Sequence, residues 1–309
     1  MHAAELFYEQ RKSQVEVAKL LKCSTATISR MLSEAVETGI VKVVIQRPVE
    51  KYPLLAEKIK QLLPIKELIV VSSGFNQEQA YQNVGYAAAE LLSRIIFPNA
   101  RIGISWGITL SYMVNNLSEF TFNSKGVEVI QLMGGLGSTD PNIDGPELAQ
   151  KMAQKLGGKY SYIQAPVVLE TPEITQLILN EGNIKRVMEN ANHAEIVISS
   201  VSSLIDDYSS IVRAGFIKKN ELSVYANTGA IGHLFARLMD ENGQEVDHIF
   251  NRRVVAVSFD VLKNAKTSIG IVANTIKARV LVAAVKGKLF NTLVIDENTA
   301  NEVVRCISA

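Results

Sequence analysis

Gly103-Ile104-Ser105-Trp106-Gly107-Ile108-Thr109 places two glycines, two hydroxyls and the single tryptophan where a short apolar run gives way to a helical pattern. Amides at such a strand-to-helix turn converge, and the helix dipole adds partial positive charge, so the turn can cradle a phosphate. The Ser105 and Thr109 hydroxyls would add donors. The loop is neither a P-loop, because no Gly-Lys-Ser/Thr follows, nor the dinucleotide pattern Gly-x-Gly-x-x-Gly. An ordinary tight turn has the same local sequence. Trp106 suits stacking on a ligand or packing beneath the loop equally well.

Other candidate groups also fall at the ends of apolar runs. Gly134-Gly135-Leu136-Gly137 follows one run and Ser199-Ser200-Val201-Ser202-Ser203 another, while Thr228–His233 forms a small-residue turn. Lys277 lies just inside a helix that follows Ala273-Asn274, where a lysine can reach an anion at a sheet's edge or simply be solvated. His233 can donate a hydrogen bond to a sugar or phosphate, or be structural; His193 and His248 read as surface. Asp206-Asp207 and Asp240-Glu241 are expected to cap helices or decorate turns rather than hold metal. No metal site is expected. Cys23 and Cys306 are far apart and lack histidine partners, which excludes a disulfide framework or zinc site. No Gly-x-Ser-x-Gly elbow supports Ser-His-Asp hydrolysis, and no catalytic residue or cofactor is assigned.

Gln14–Leu32 carries a different chemistry, the spacing of a helix-turn-helix. Val17, Ala18 and Leu21 form an apolar face, and the small Ala18 admits a crossing helix. Ser24 suits an N-cap. Ile28, Met31 and Leu32 are expected to bury against the first helix. That leaves Thr25, Thr27, Ser29 and Arg30 outward, a polar face that can enter a major groove, with Gln14 and Lys22 near the DNA backbone. A plain helical hairpin shares the pattern.

The elements that must position these groups follow from periodicity. Met1–Glu9, Gln14–Leu21 and Ser24–Thr38 read as helices, Gly39 as a C-cap, and residues 40–45 as a strand or wing. Arg47-Pro48 marks a boundary, giving a DNA-binding unit over 1–50, a connector helix over 51–64, and an effector-binding and oligomerisation domain over 65–309. In that domain strands are expected at 67–72, 101–105, 127–132, 160–165, 195–200, 254–258, 267–273 and 292–295. Helices fall between them, at 78–95, 146–156, 175–188, 275–285 and 298–305. Short continuous apolar strands alternating with helices specify a parallel sheet covered on both faces, and such sheets bind ligands beyond the carboxyl ends of their strands.

At 47% apolar and 20% charged residues the 309-residue chain suits a well-packed protein of two unequal domains. No apolar run approaches the roughly 20 residues that span a bilayer, and the acidic start is unlike a signal peptide; a cytoplasmic location without membrane partners is expected. Residues 1–51 hold eight Lys/Arg against six Asp/Glu, a net of +2. So small a charge holds DNA weakly in a single copy, which argues for an oligomer.

Taken together, these motifs resemble the SorC family of bacterial sugar-responsive transcriptional regulators along nearly the whole chain. The resemblance rests on Gln14–Leu32, Gly39-Ile40-Val41, Gly103–Gly107, Gln131-Leu132-Met133-Gly134-Gly135, Gly229-Ala230-Ile231-Gly232, Lys277, Gly287 and Leu293–Ala300. It implies an α/β chain: an N-terminal winged helix-turn-helix joined to a larger Rossmann-like effector domain resembling sugar-phosphate isomerases. It implies a homo-oligomer, typically a tetramer, whose hold on operator double-stranded DNA changes when a sugar or sugar phosphate binds. On this resemblance Ser105, Trp106, Gly107 and Thr109 embrace the effector's phosphate, Lys277 joins the anion site, and His233 faces the sugar. Hydroxyls would meet Gly134, Gly135, Ser200 and Ser202.

The departures matter as well. Met133 stands where some relatives carry a Schiff-base lysine, which excludes an imine at that position. Lys22 replaces the usual glycine of the helix-turn-helix turn, which strains it, and Thr25 replaces a frequent arginine. Ser199–Ser203 and Asn274 replace glycine-containing segments. The expected function is regulation of a carbohydrate or polyol operon. The competing readings are a sugar-phosphate isomerase-like enzyme with a helical appendage, for which no poised base stands beside the Ser-Trp-Gly loop, and a module acting only through protein contacts.

Overall fold

A computed structural model of the chain describes residues 1–41, 49–120, 122–137, 141–205 and 209–308. The expected wing at 42–45, the boundary at Arg47-Pro48 and the pair Asp206-Asp207 lie outside the described residues. The chain divides into two compact units, Met1–Pro48 and Val49–Ala309.

In the first unit, His2–Ala4 and a π-helical turn at Glu5–Glu9 precede the helices Gln14–Leu21 and Thr25–Glu37. Local chemistry fixes both helix starts. The Ser13 hydroxyl accepts the Glu16 amide at 3.3 Å while the Glu16 carboxylate accepts the Ser13 amide at 2.8 Å, a reciprocal capping box. These bonds hold the Glu16 carboxyl below its ordinary range. The Ser24 hydroxyl accepts the Thr27 amide at 3.1 Å. Between the helices Lys22 sits at φ 52°, ψ 44°, the left-handed conformation that an L side chain resists. Val17, Ala18, Ile28, Leu32 and Ala35 pack with Ala3, Ala4 and Leu6.

Met31 is a correction. It is 44% exposed, at the flank of the buried Ile28–Leu32–Ala35 stripe. Two outcomes are expected from thermal unfolding of the full chain. Lys22→Gly should stabilise this unit by up to about 1 kcal/mol by relieving the left-handed strain. Ser24→Ala should destabilise it by about 1 kcal/mol through loss of the cap.

In the second unit seven parallel strands form one sheet: β1 (Glu67–Val71), β2 (Arg101–Ile104), β3 (Glu128–Gln131), β4 (Lys159–Ser161), β5 (Ile196–Ser199), β9 (Thr267–Val272) and β10 (Thr292–Asp296). Their order is β1-β10-β9-β5-β2-β3-β4. Alternate residues of one strand serve opposite faces. Ile196 and Ile198 join the cluster under the helices Gln77–Ile95 and Ile108–Asn116, while Val197 joins the cluster containing Ala278–Val285. Both faces are therefore covered, as a parallel sheet requires. The helix Pro53–Leu62, expected as a connector, buries Ala56 and Ile59 in this unit's own core.

A second, antiparallel sheet was not foreseen: β6 (Ser202–Ser203), β7 (Gly232–Leu234) and β8 (Arg237–Met239). β7 and β8 turn through Phe235 and Ala236, both left-handed at φ 53° and 61°, the backbone of a two-residue hairpin turn. Their strands are too short for an alternating pattern to show.

Two expectations are corrected. Residues 254–258 are no strand; they make only isolated bridges, Val254 to Val168 and Ala256 to Met133. The Arg237 guanidinium donates to the carbonyls of Ala256, Val257 and Asn251 at 3.0–3.2 Å, so a side chain takes part of what a neighbouring strand would bond. The helix expected at 175–188 is two helices, Pro172–Asn180 and Gly182–Ala191, broken at extended Glu181.

Candidate functional site

The sheet order creates the site. From β2 the chain winds outward to β3 and β4, then returns to β5 on the other side of β2 and continues to β9 and β10. Neighbours β2 and β5 thus lead into connections that diverge to opposite faces, and the crevice beyond their carboxyl ends is where such sheets bind ligands. The Ser105 and Ser199 hydroxyls meet there at 2.9 Å, both buried, and the Ser105 amide donates to Ile198 at 3.2 Å.

A cleft of about 650 Å³, open solvent included, lies above this pair. β2 supplies Ser105, Trp106, Gly107, Ile108 and Thr109; β3 supplies Met133; β5 supplies Ser200 and Val201; the segment after β9 supplies Asn274 and Lys277. β6 and β7 add Ser202 and His233, and the turn Ser210–Arg213 adds Ser210 and Arg213. Eight of the ten expected effector residues therefore line one cavity. Gly134 and Gly135 do not. The Gly134 amide donates to Val255 at 2.8 Å, and a Cβ there would come within 2.6 Å of the Ala165 carbonyl, so its role is close packing. Among the residues missed from sequence were Tyr81, Ser210, Arg213 and Phe235. No local motif marks them; they arrive through long-range connections.

Gly107, at φ 137°, ends the turn and starts the helix Ile108–Asn116, whose amino end no side chain caps. Few L residues adopt that φ, so glycine is required. The amino end points its dipole at the cleft, and Lys277 and Arg213 line the same space. Burial and the nearby Arg213 charge lower the Lys277 pKa to about 8. Two mutually repelling cations at a helix amino end describe a place prepared for an anion.

His233, 2% exposed, is pushed down to about 3 by burial and by Lys277. It is a neutral imidazole at physiological pH, its Nε2 3.3 Å from the Ser210 hydroxyl, and so a hydrogen-bonding group rather than a proton shuttle near neutrality. Asn274 spends its Oδ1 on the Ile276 amide at 3.0 Å. Trp106, 7% exposed, both packs in the core and lines the cleft. Among the described residues no cluster of His, Cys, Asp and Glu is placed to hold a metal ion, and no helix is long and apolar enough to cross a membrane.

In the first unit Thr25, Ser29 and Arg30 are exposed on one helix, with Lys22 exposed and Gln14 half-buried. Ser24 and Thr27 share a hydrogen bond at 2.8 Å, so their hydroxyls serve the cap.

Comparison with known proteins fits this arrangement. The chain is 27% identical over 308 residues to the deoxyribonucleoside regulator of Bacillus subtilis, covering 98% of this chain and 96% of that protein. It is 26% identical over 309 residues to the sorbitol operon regulator of Klebsiella pneumoniae, with the same coverage. The crystal structure of that full-length regulator, SorC, superposes with a TM-score of 0.76 over 97% of this chain and 96% of that one. The crystal structure of a probable sor operon regulator from Shigella flexneri matches at 25% identity and a TM-score of 0.74, over 82% of this chain and 98% of that one. The profile of the sugar-binding domain family matches residues 47–305. The chain belongs to the sugar-binding domain family, as its SorC-like motifs indicate.

Proposed function

We propose that the chain is a DNA-binding regulator of a carbohydrate or polyol operon, whose grip on its operator is set by a phosphorylated sugar held in the cleft. The observation that carries this reading is the meeting of the Ser105–Thr109 turn, Lys277 and Arg213 in one cavity. The regulators similar to this chain over nearly its whole length support the output. The phosphate sits at the amino end of the helix Ile108–Asn116, on Lys277, while Ser200, Ser202 and His233 meet sugar hydroxyls. Met133 lines the same cavity and carries no amine, so the effector is held there without an imine.

The first unit, a winged helix-turn-helix on this reading, places Thr25, Ser29 and Arg30 in the major groove, with Gln14 and Lys22 near the phosphates. Ser24 and Thr27 hold the start of that helix. The protein works in the cytoplasm as a homo-oligomer, a tetramer by family resemblance. Effector control requires only that the ligand bind one arrangement of subunits better than another.

The test measures operator binding with and without a panel of sugar phosphates; no change with any member overturns the switch. Arg30→Ala is expected to weaken operator binding by roughly 5- to 150-fold, the 1–3 kcal/mol of a specific contact. Titration of a sugar phosphate into the same variant should match wild type.

A further inference from the structure

Beside the cleft, the carboxyl ends of β9, β10 and β1 enclose a second cavity of about 500 Å³, open solvent included. The two adjoin: Asn274 lines both, and on the helix Gln77–Ile95 Ala80 lines the second cavity while its neighbour Tyr81 lines the cleft. Their chemistry differs. Among the described residues the cleft has Lys277 and Arg213 and no carboxylate, whereas the second cavity has Asp296 and no Lys or Arg.

Asp296 ends β10 and is 3% exposed. Its carboxylate accepts the Ser73 hydroxyl at 2.7 Å and the Thr299 hydroxyl, and Ser73 in turn accepts the Asn298 amide at 2.9 Å. Two hydroxyls use about half of what a carboxylate can accept. Three side-chain amides that line the same cavity each have one end tied down. Asn76 spends its Oδ1 on the Gln79 amide at 2.9 Å, Asn274 spends its Oδ1 on Ile276, and Gln77 donates to the Ala273 carbonyl. These bonds fix the amide planes and leave two NH2 groups and one carbonyl oxygen unspent. Phe75 lines the cavity too, yet is 94% exposed. Its backbone is held: Gly74 turns the loop at φ 65°, and the Gln79 carboxamide accepts the Phe75 amide at 2.8 Å.

We propose that this second cavity is a subsite for an uncharged sugar ring, and that the effector is a phosphorylated disaccharide whose phosphorylated unit lies in the cleft. The inference rests on the reading of the cleft as a phosphate site and names the class of effector that site takes. A sugar ring presents an apolar C–H face together with hydroxyls that both donate and accept. An exposed phenyl ring, a carboxylate and oriented amides match those features jointly. An ammonium group only donates and would leave the Asn76 and Asn274 NH2 groups unmatched, and a second phosphate would meet the Asp296 charge. The sheet order sets the length. From β2, whose end carries the phosphate turn, the order runs through β5 and β9 to β10, three strand spacings or about 14 Å. One sugar ring with its phosphate falls short of that span, and two rings cover it.

Isothermal titration of the full chain tests this with inorganic phosphate, glucose 6-phosphate and the 6-phosphates of trehalose, sucrose and cellobiose. At least one disaccharide phosphate is expected to bind roughly 10- to 100-fold tighter than glucose 6-phosphate, the scale of two or three added neutral contacts. Phe75→Ala should weaken binding of that disaccharide phosphate by roughly 3- to 10-fold, the scale of one aromatic contact, and Phe75→Tyr should restore it. Both variants should melt like wild type, because the ring is exposed, and should bind inorganic phosphate and glucose 6-phosphate as wild type does. Disaccharide phosphates that bind no tighter than glucose 6-phosphate, or a preference that Phe75→Ala leaves intact, overturn the subsite while the phosphate reading stands. A chain that binds none of these phosphates overturns the phosphate reading itself, and this inference with it.

Discussion

Lys277→Met should weaken binding of a phosphomonoester such as a sugar phosphate by roughly 10- to 150-fold, the 1.5–3 kcal/mol of a hydrogen bond to a charged group. Isothermal titration measures it. The folded apo-protein should be no less stable, because burial and Arg213 already hold the Lys277 pKa down, at about 8. The pH signs are opposed and can be read separately. Lys277 loses its proton as pH rises through about 8, so affinity for a dianion should fall above that pH in wild type and stay flat in the methionine variant. Stability of the apo-protein should instead rise between about 8 and the ordinary lysine value of 10.5, where the unfolded chain binds the proton that the folded chain has released. A variant with wild-type affinity would remove Lys277 from the anion site. His233 does not contribute to this profile, since it is neutral throughout that range.

Ile28→Ala is expected to abolish operator binding while leaving effector binding intact. Ile28 is fully buried in a small core that has eight buried apolar side chains among the described residues. Removing its side chain costs about 2–5 kcal/mol, comparable with the whole stability of so small a unit. The separate core of the second unit contains none of these residues. Circular dichroism should therefore show loss of part of the helical signal with the main thermal transition retained. An Ile28→Ala chain that binds operator like wild type would show that the first unit does not depend on this core, or does not read DNA.

The cleft was partly legible because its anion-facing parts are local. Gly107 and the helix that follows it are contiguous, and a strand running into Gly-rich sequence announces itself. Six of the expected strands match sheet strands closely, since continuous apolar runs are what a doubly covered sheet requires. The run at 254–258 has the same composition, and its first four residues are buried, yet it bonds loop backbones and Arg237 rather than a strand. Composition reports burial, not the partner. The short β6, β7 and β8 gave no period, and the hairpin turn at Phe235-Ala236 lacks the asparagine and glycine that usually mark one.

By itself the sequence determined the cap at Ser24, the strained turn at Lys22 and the glycine turn at Gly107, all set by interactions within a few residues, and the continuous apolar runs that a doubly covered parallel sheet requires. Only the tertiary structure decided that β2 lies beside β5, so that Ser105 and Ser199, 94 residues apart, share a hydrogen bond. It alone brought Arg213 and His233 to the lysine at 277 and moved Gly134 and Gly135 out of the cleft. Strand order is a choice among non-local pairings of similar apolar segments, made by the packing of the whole chain. A site built from four strand ends takes its composition from that order.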